Sequence, residues 1–286
     1  MAAEVACAAG AAVELHDAMG SVGRKFLLAG KGGLNLTHAE PLQRFVERYG
    51  SRRDELARWL DVFDADALRA WARNLGVETF VGSSGRVFPA DMKAAPLLRR
   101  WVHRLREAGV VFHMHHRWLG WQDDGAVRFA TPGGELSVRT DAVLLALGGA
   151  SWPQLGSDGA WVAPLLEAGI DVAPLQPANC GFELTWSEHL RSRFAGAALK
   201  PVVAHWTDRQ GHVQSRQGEF VLTEYGIEGS LIYAIGADLR QQIATHGTAT
   251  LALDLVPGYS ETVLAQRLAV PRGKHSMGDW LRRRAG

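Results

Sequence analysis

Hydrophobic positions along this chain follow two different periods, and the switches between them mark out its elements. Residues Ala2 to Ala9 are small and helix-tolerant. After Gly10 the run Ala12-Val13-Glu14-Leu15-His16-Asp17 alternates and closes on an acid, so the opening reads as helix, turn and strand. From Pro41 to Gly76 the period becomes helical. Leu42, Phe45, Val46 and Tyr49, then Leu56, Trp59, Leu60 and Phe63, then Leu68, Trp71 and Leu75 recur at three- and four-residue spacings. The ten tryptophans of the chain read mostly as core and stripe residues of this kind, with packing as their role.

A helix is predicted from about Met92 to Ala108, leading into a strand at Val110 to His115. Short strands near Val127 to Ala130, Leu136 to Arg139 and Ala142 to Leu147 follow, with Asp124-Gly125 and Pro132-Gly133-Gly134 as turns, which predicts a meander. The last of these strands is continuously apolar and runs into Gly148-Gly149. That is the pattern of a buried parallel strand with a ligand at its carboxyl end. A helix near Asp158 to Ala168 comes next. The composition then changes at Pro174 and Pro177 to strand-like pieces at Val202 to Trp206 and Glu219 to Thr223, a helix near Ser230 to Ala244 and a strand at Thr250 to Leu255. These boundaries predict a cofactor domain over 1–178 and a second domain from 179 onward, with no repeat period.

Composition narrows the function classes. With 286 residues, 47% hydrophobic and 21% charged, the chain is long enough for more than one core. A net charge of +1 gives no nucleic-acid footprint, and clusters such as Arg282-Arg283-Arg284 read as solvated surface. Cys7 and Cys180 lie far apart without CxxC spacing, which supports neither a disulfide framework nor a zinc site and fits a reducing cytoplasm. The opening run Met1 to Cys7 is apolar but carries Glu4 and lacks a basic region, which argues against reading it as a signal peptide, and no apolar run approaches membrane length.

The chemistry begins at Asp17. In a dinucleotide fold the second strand ends in an acid for the ribose hydroxyls, about 20 residues beyond a GxGxxG turn. Counting back from Asp17 runs off the start of the chain, so on this assignment the first strand and its glycine loop are expected to be absent. A plain turn role for Asp17 is the alternative. Downstream, Gly20 to His38 combines glycines, which let backbone amides approach a ligand, with Arg24, Lys25 and Lys31, which can balance a pyrophosphate. A basic surface loop would hold the same residue types.

Three stretches carry a resemblance. VGRKFLLAGKGGLNLTHAEP at Val22 to Pro41, LLALGGASWPQLGSDGAWV at Leu144 to Val162 and GEFVLTEYGIEGSLIYAIG at Gly218 to Gly236 are similar, in order, to segments of the flavoprotein family named for YhiN and BaiN, also called aminoacetone-oxidase-like. The resemblance covers essentially the whole chain. It implies an α/β protein with α+β elements: an incomplete Rossmann-like FAD-binding domain with a β-meander, plus an inserted β-barrel and helical substrate domain at 179–274. Residues 275–286 would begin the return to the FAD domain, and both ends are expected to be cut. The resemblance implies FAD as cofactor, NAD(P)H as candidate electron donor and a small-molecule substrate.

Carried over residue by residue, Asp17 resembles the ribose acid, and Arg24 and Lys25 the basic pair beside the diphosphate. Gly32, Gly33, Asn35 and Thr37 resemble the loop facing the flavin, Trp118 lies on the strand meeting the adenine, and Gly148 and Gly149 resemble glycines beside the adenosine half. Thr223, Glu224 and Tyr225 are the polar residues singled out for substrate contact, with a turn at a barrel rim as the alternative. No catalytic residue is assigned, because a flavin carries the hydride and electron chemistry itself.

Three competing readings are weighed. His113, His115 and His116 form a tempting metal cluster, but without a nearby Cys they read as a solvated strand face, and no metal site is expected. Ser83-Ser84-Gly85 and Gly156-Ser157-Asp158-Gly159 lack a nucleophile-elbow pattern. Against the flavoenzyme stands a non-catalytic truncated fragment that binds FAD weakly or not at all, since loss of a glycine loop removes the helix amino terminus that binds the pyrophosphate.

Overall fold

The computed structural model describes residues 1–29 and 32–285, which divide into two compact units, Met1–Leu175 and Gln176–Gly286.

In the first unit, helix α1 (Ala2–Ala8) leads through Gly10 into strand β1 (Glu14–Asp17) and helix α2 (Arg24–Ala29). Strand β2 (Thr37–His38) precedes three short helices, α3 (Leu42–Glu47), α4 (Arg53–Leu60) and α5 (Ala65–Asn74). The helical period from Pro41 to Gly76 is thus divided by two breaks. At the second, Asp64 caps α5 by accepting from the Ala67 amide at 2.8 Å. A hairpin of β3 (Thr79–Val81) and β4 (Arg86–Pro89) adds β2 on its far side to make a three-stranded antiparallel sheet. Helix α6 (Ala94–Glu107) then delivers the chain to β5 (Val111–Met114), and β6 (Arg117–Trp121), β7 (Val127–Thr131) and β8 (Gly134–Val138) form a meander through the two predicted turns, with β6 as its third strand in place of the expected Ala142–Leu147. A short helix, α7 (Val162–Glu167), follows. The core of this unit collects Leu34, Ala72, Leu75, Val77, Ala94 and Leu97, the buried sides of α5, α6 and the loop before β2.

Strands β1 and β5 pair in parallel with His16 opposite His113 and Asp17 opposite Met114. No other described strand joins them. This explains one departure from the sequence reading. The run Ala142–Leu147, predicted as a buried parallel strand, is irregular, and Val143, Leu144 and Leu145 are exposed at 43%, 69% and 37%. An apolar run becomes a buried strand only when a neighbouring strand takes its amides and carbonyls. Among the described residues none does.

The second unit is a single antiparallel sheet with one long helix. Its elements are β9 (Phe182–Glu183), α8 (Glu188–Phe194), β10 (Ala198–Thr207), β11 (Val213–Leu222), β12 (Gly226–Glu228), α9 (Ser230–His246), β13 (Ala252–Asp254), α10 (Glu261–Leu268) and α11 (Met277–Arg284). The strand order is β13-β10-β11-β12-β9, with both ends free, so the sheet is open and not the closed barrel expected from the sequence. Ten-residue strands β10 and β11 dominate it, and three-residue β12 and β13 are too short to curl it shut. Phe220, Val202 and Ala204 of the sheet pack against Leu231, Ile232, Ile235 and Leu239 of α9, residues spaced to line one helix face. No helix among the described residues is long and apolar enough to cross a membrane.

Candidate functional site

The site grows from the carboxyl end of β1. Asp17 is half-buried and its Oδ1 accepts the Met19 amide at 2.8 Å, an Asx turn that swings the chain away from the strand. The turn is braced by β5: the His116 amide donates to the Asp17 carbonyl at 2.9 Å and the His115 amide to the Met19 carbonyl at 3.1 Å. Asp17 therefore has the turn role weighed for it, while its second carboxylate oxygen makes no protein hydrogen bond among the described residues.

Beyond that turn, Arg24 and Lys25 open α2 rather than a loop, and both are exposed. Lys25 Nζ donates to Ser151 Oγ at 2.7 Å, which draws α2 to the segment following Gly148 and Gly149. The same segment returns to β1 through Gly156, where an added Cβ would lie 2.9 Å from Met19 Cγ. Within it, Trp152 and Ser157 form an isolated bridge, and Gly148 adopts φ +74°, so that an added Cβ would lie 3.6 Å from Ser157 Oγ. Nothing within 4 Å would meet a Cβ on Gly149. Asp17, Lys25, Gly148 and Gly149 are thus brought into one neighbourhood.

Trp118 stands close by on β6, in edge-to-face contact with Trp121 at 5.0 Å. The Nε1 atoms of Trp118 and Trp161 and the Oγ of Ser157 are buried polar atoms without a hydrogen-bond partner. Each buried unpaired donor costs free energy, and Ser157 Oγ is the one that faces the paired glycines, 3.6 Å from an added Cβ on Gly148. Ser157, buried to 6% exposure, is weighed from the sequence only as a nucleophile-elbow serine, and its burial beside Gly148 is not readable from the local pattern. Asp158 beside it is held below the ordinary carboxylate range by the Ala160 amide, with Arg117 adding an ion pair at 3.0 Å.

The proposed flavin-facing loop falls elsewhere. Gly30 and Lys31 lie outside the described residues. Gly32 and Asn35 are exposed, while Gly33 holds φ +112° with its Cα against Met92, whose Cε would sit 2.5 Å from an added Cβ. Leu34 donates to the Met92 carbonyl at 2.9 Å, and Thr37 pairs with Val87 on β4. Among the described residues no hydrogen bond joins this loop to residues 148–158. Thr223, Glu224 and Tyr225 belong to the second unit. They form the tight turn between β11 and β12, closed by the Thr223 amide on the Gly226 carbonyl at 2.8 Å, with Tyr225 71% exposed.

The histidines are also arranged differently from the sequence reading. Strand β5 ends at Met114 and His115 takes φ +60°, so His113 and His115 do not share a strand face. The partner of His113 is His16, stacked on it with ring centres 4.5 Å apart. The parallel register of β1 and β5 sets this pair, and that register is not readable from either segment alone.

A parallel β-ribbon ending in an acid, with a glycine-bearing segment tied to the following helix, is an arrangement of the kind Rossmann-type α/β proteins use. Residues 1–258 match the model described as the HI0933-like protein Rossmann domain, and the chain belongs to that family, the one its three sequence stretches resemble. It is also 26% identical over 238 residues to a 3-dehydro-bile acid delta(4,6)-reductase from Clostridium scindens, covering 83% of this chain. The match spans 56% of that reductase, so this chain spans little more than half its length.

Proposed function

We propose that this chain contributes the adenosine-side cofactor surface of an FAD-dependent oxidoreductase, with a small-molecule substrate and NAD(P)H as electron donor. The observation that carries the reading is the convergence of Asp17, Lys25 and the Gly148-Gly149 segment at the end of the parallel pair, in a chain of this family. The residues suit the group. The second oxygen of Asp17 is available to ribose hydroxyls, and Arg24 and Lys25 supply positive charge for phosphates. The bare backbones of Gly148 and Gly149 admit close approach, and Trp118 and Ser157 offer unpaired buried donors.

FAD when bound supplies hydride and electron transfer. The chain's own residues bind and orient. Asp17 and Lys25 fix the cofactor's polar half, Gly32, Gly33, Asn35 and Thr37 are proposed for its flavin half, and Thr223, Glu224 and Tyr225 for substrate contact. The name of the Clostridium scindens relative supports reduction as the direction of chemistry; its bile-acid substrate is not carried over.

One observation favours a second reading. The parallel sheet has two strands, and the apolar segment leading to Gly148 is exposed, so the surface under the cofactor is narrow. On that reading the chain by itself is non-catalytic and holds FAD weakly or not at all.

The visible spectrum of the purified chain, with and without added FAD, separates the two. Flavin bands near one per chain, perturbed from those of free FAD, are expected on the first reading. A colourless protein that leaves added FAD unperturbed would overturn it for this chain and leave the second.

A further inference from the structure

On the face of β1 and β5 formed by Glu14, His16 and His113, three side chains of metal-binding type come together. Glu14 and His16 are two residues apart on one strand and so share a face, and His113 is opposite His16 on the next. One ligand atom from each lies within 4.8 Å of the others. Glu14 Oε2 is 3.1 Å from His113 Nε2 and 3.6 Å from His16 Nε2. From this geometry we infer a binding site for one divalent transition ion of the zinc type, ligated by the Glu14 carboxylate and the imidazoles of His16 and His113.

Several observations support a site rather than a chance cluster. His113 Nε2 is buried and makes no hydrogen bond despite the carboxylate beside it, and His16 Nδ1 is likewise buried without a partner. Of these, the unpartnered Nε2 of His113 beside the Glu14 carboxylate is the atom an ion would take up, while His16 would ligate through Nε2, 3.6 Å from the same oxygen. The rings are also held in place. Phe129 of β7 stacks on the other side of His16 at 4.1 Å, and His116, 5.3 Å from both rings, is fixed by its Nδ1 on the Met114 carbonyl at 2.8 Å. Glu14 remains 55% exposed, which leaves an entry path and an open fourth position for water.

The donor set selects the ion. Two imidazoles and one carboxylate suit zinc, cobalt or nickel rather than magnesium or calcium, which prefer oxygen donors. Tetrahedral bonds of about 2.0–2.2 Å put ligand atoms roughly 3.3–3.6 Å apart, so the two Glu14–histidine distances already fit, and closure requires the stacked rings to splay and bring their ligating nitrogens together by up to about 1 Å. An ion there would tie β1 to β5 one residue before Asp17.

The test uses the tag-free, flavin-free full chain after chelator treatment, titrated with Co²⁺ while its visible d–d bands are followed, then back-titrated with Zn²⁺. Expected are one Co²⁺ per chain with the intense bands of four-coordination, displacement by Zn²⁺, and a rise in Tm with Zn²⁺. Glu14→Gln, at an exposed strand start, and His113→Gln should each weaken binding by at least the roughly 10–100-fold that loss of a mere supporting partner costs. His275→Gln, an exposed control, should not. Absence of four-coordinate bands, or binding unchanged in both Glu14→Gln and His113→Gln, would overturn the site. If His113→Gln fails to fold by circular dichroism, Glu14→Gln alone decides.

Discussion

Lys25 Nζ and Ser151 Oγ, 126 residues apart in sequence, are joined by a 2.7 Å hydrogen bond that seats the amino-terminal turn of α2 beside the Gly148-Gly149 segment. Because Lys25 is exposed, its loss should hardly disturb the fold. Surface substitutions of this kind stay within about 0.5 kcal/mol. If Lys25 holds a phosphate, Lys25→Ala should weaken FAD binding about tenfold, near 1.4 kcal/mol, with Tm almost unchanged. Equilibrium titration followed by flavin fluorescence checks this, and equal affinity would remove Lys25 from the cofactor surface.

Glu4 is predicted to clamp α1. Its Oε2 accepts the indole N–H of both Trp71 and Trp101 at 3.1 Å, and Arg104 pairs with its other oxygen. Removing it in Glu4→Ala leaves two half-buried donors and a guanidinium without their acceptor. The expected loss is about 1–3 kcal/mol by urea denaturation, with a shift in tryptophan emission from the edge-to-face Trp71/Trp101 pair.

In the second unit the least tolerant position is Gly226. It lies buried in β12 opposite Glu183, and an added Cβ would run into the Phe182 carbonyl oxygen, a backbone atom that cannot step aside. Gly226→Ala should cost on the order of 4 kcal/mol or more, or prevent folding. Gly196→Ala should cost about 1–2 kcal/mol, because a Cβ there meets nothing and only its positive φ is strained. Parallel denaturant melts of the two variants test the ranking.

Acid should destabilise the first unit in two separate windows. His16 is held below its ordinary value of 6.5 first by burial and then by His113 and His116, against the opposing pull of Glu14. Below about pH 6.5 the unfolded chain takes up this proton more readily than the folded one. Stability should therefore fall as pH drops through that range and level off once the folded histidine also protonates. Asp158, lowered by the Ala160 amide and Arg117, keeps its contribution above its ordinary value of 3.8 and loses it only as pH falls further. Unfolding free energies measured from about pH 7.5 down to about 2 should show the first decline disappear in His16→Phe and the second in Asp158→Asn.

The sequence carries most of the local structure and little of the long-range pairing. Helix α6 occupies Ala94–Glu107 where the spacing places it at 92–108, and α9 occupies Ser230–His246 where the spacing places it at 230–244, because both have an apolar stripe of helical period. The meander is legible from its Gly-containing turns. Helix α2 is hidden behind the glycines and charges around it, so Arg24-Lys25 reads as loop. The hairpin of β3 and β4 is missed because three- and four-residue strands give too short an alternation. The fate of Ala142–Leu147, the open edge of the second sheet and the meeting of His16 with His113 all depend on partners distant in the chain. Of the candidate site, Asp17 and the paired glycines are recognisable as residues, but their connection through Lys25 and Ser151 is not.

The parallel ribbon of β1 and β5 also sets an order of events. Its two strands are separated by roughly 100 residues that include five of the unit's helices, whereas the meander closes through turns of a few residues, so closing the ribbon carries the larger loop-entropy cost. The meander and α6 can form early and present β5 as a template. β1, with the acid at its end, then settles late. The residues proposed to grip the cofactor thus belong to the last part of the unit to order and the first to open, so their amides should exchange with solvent well before those of the meander.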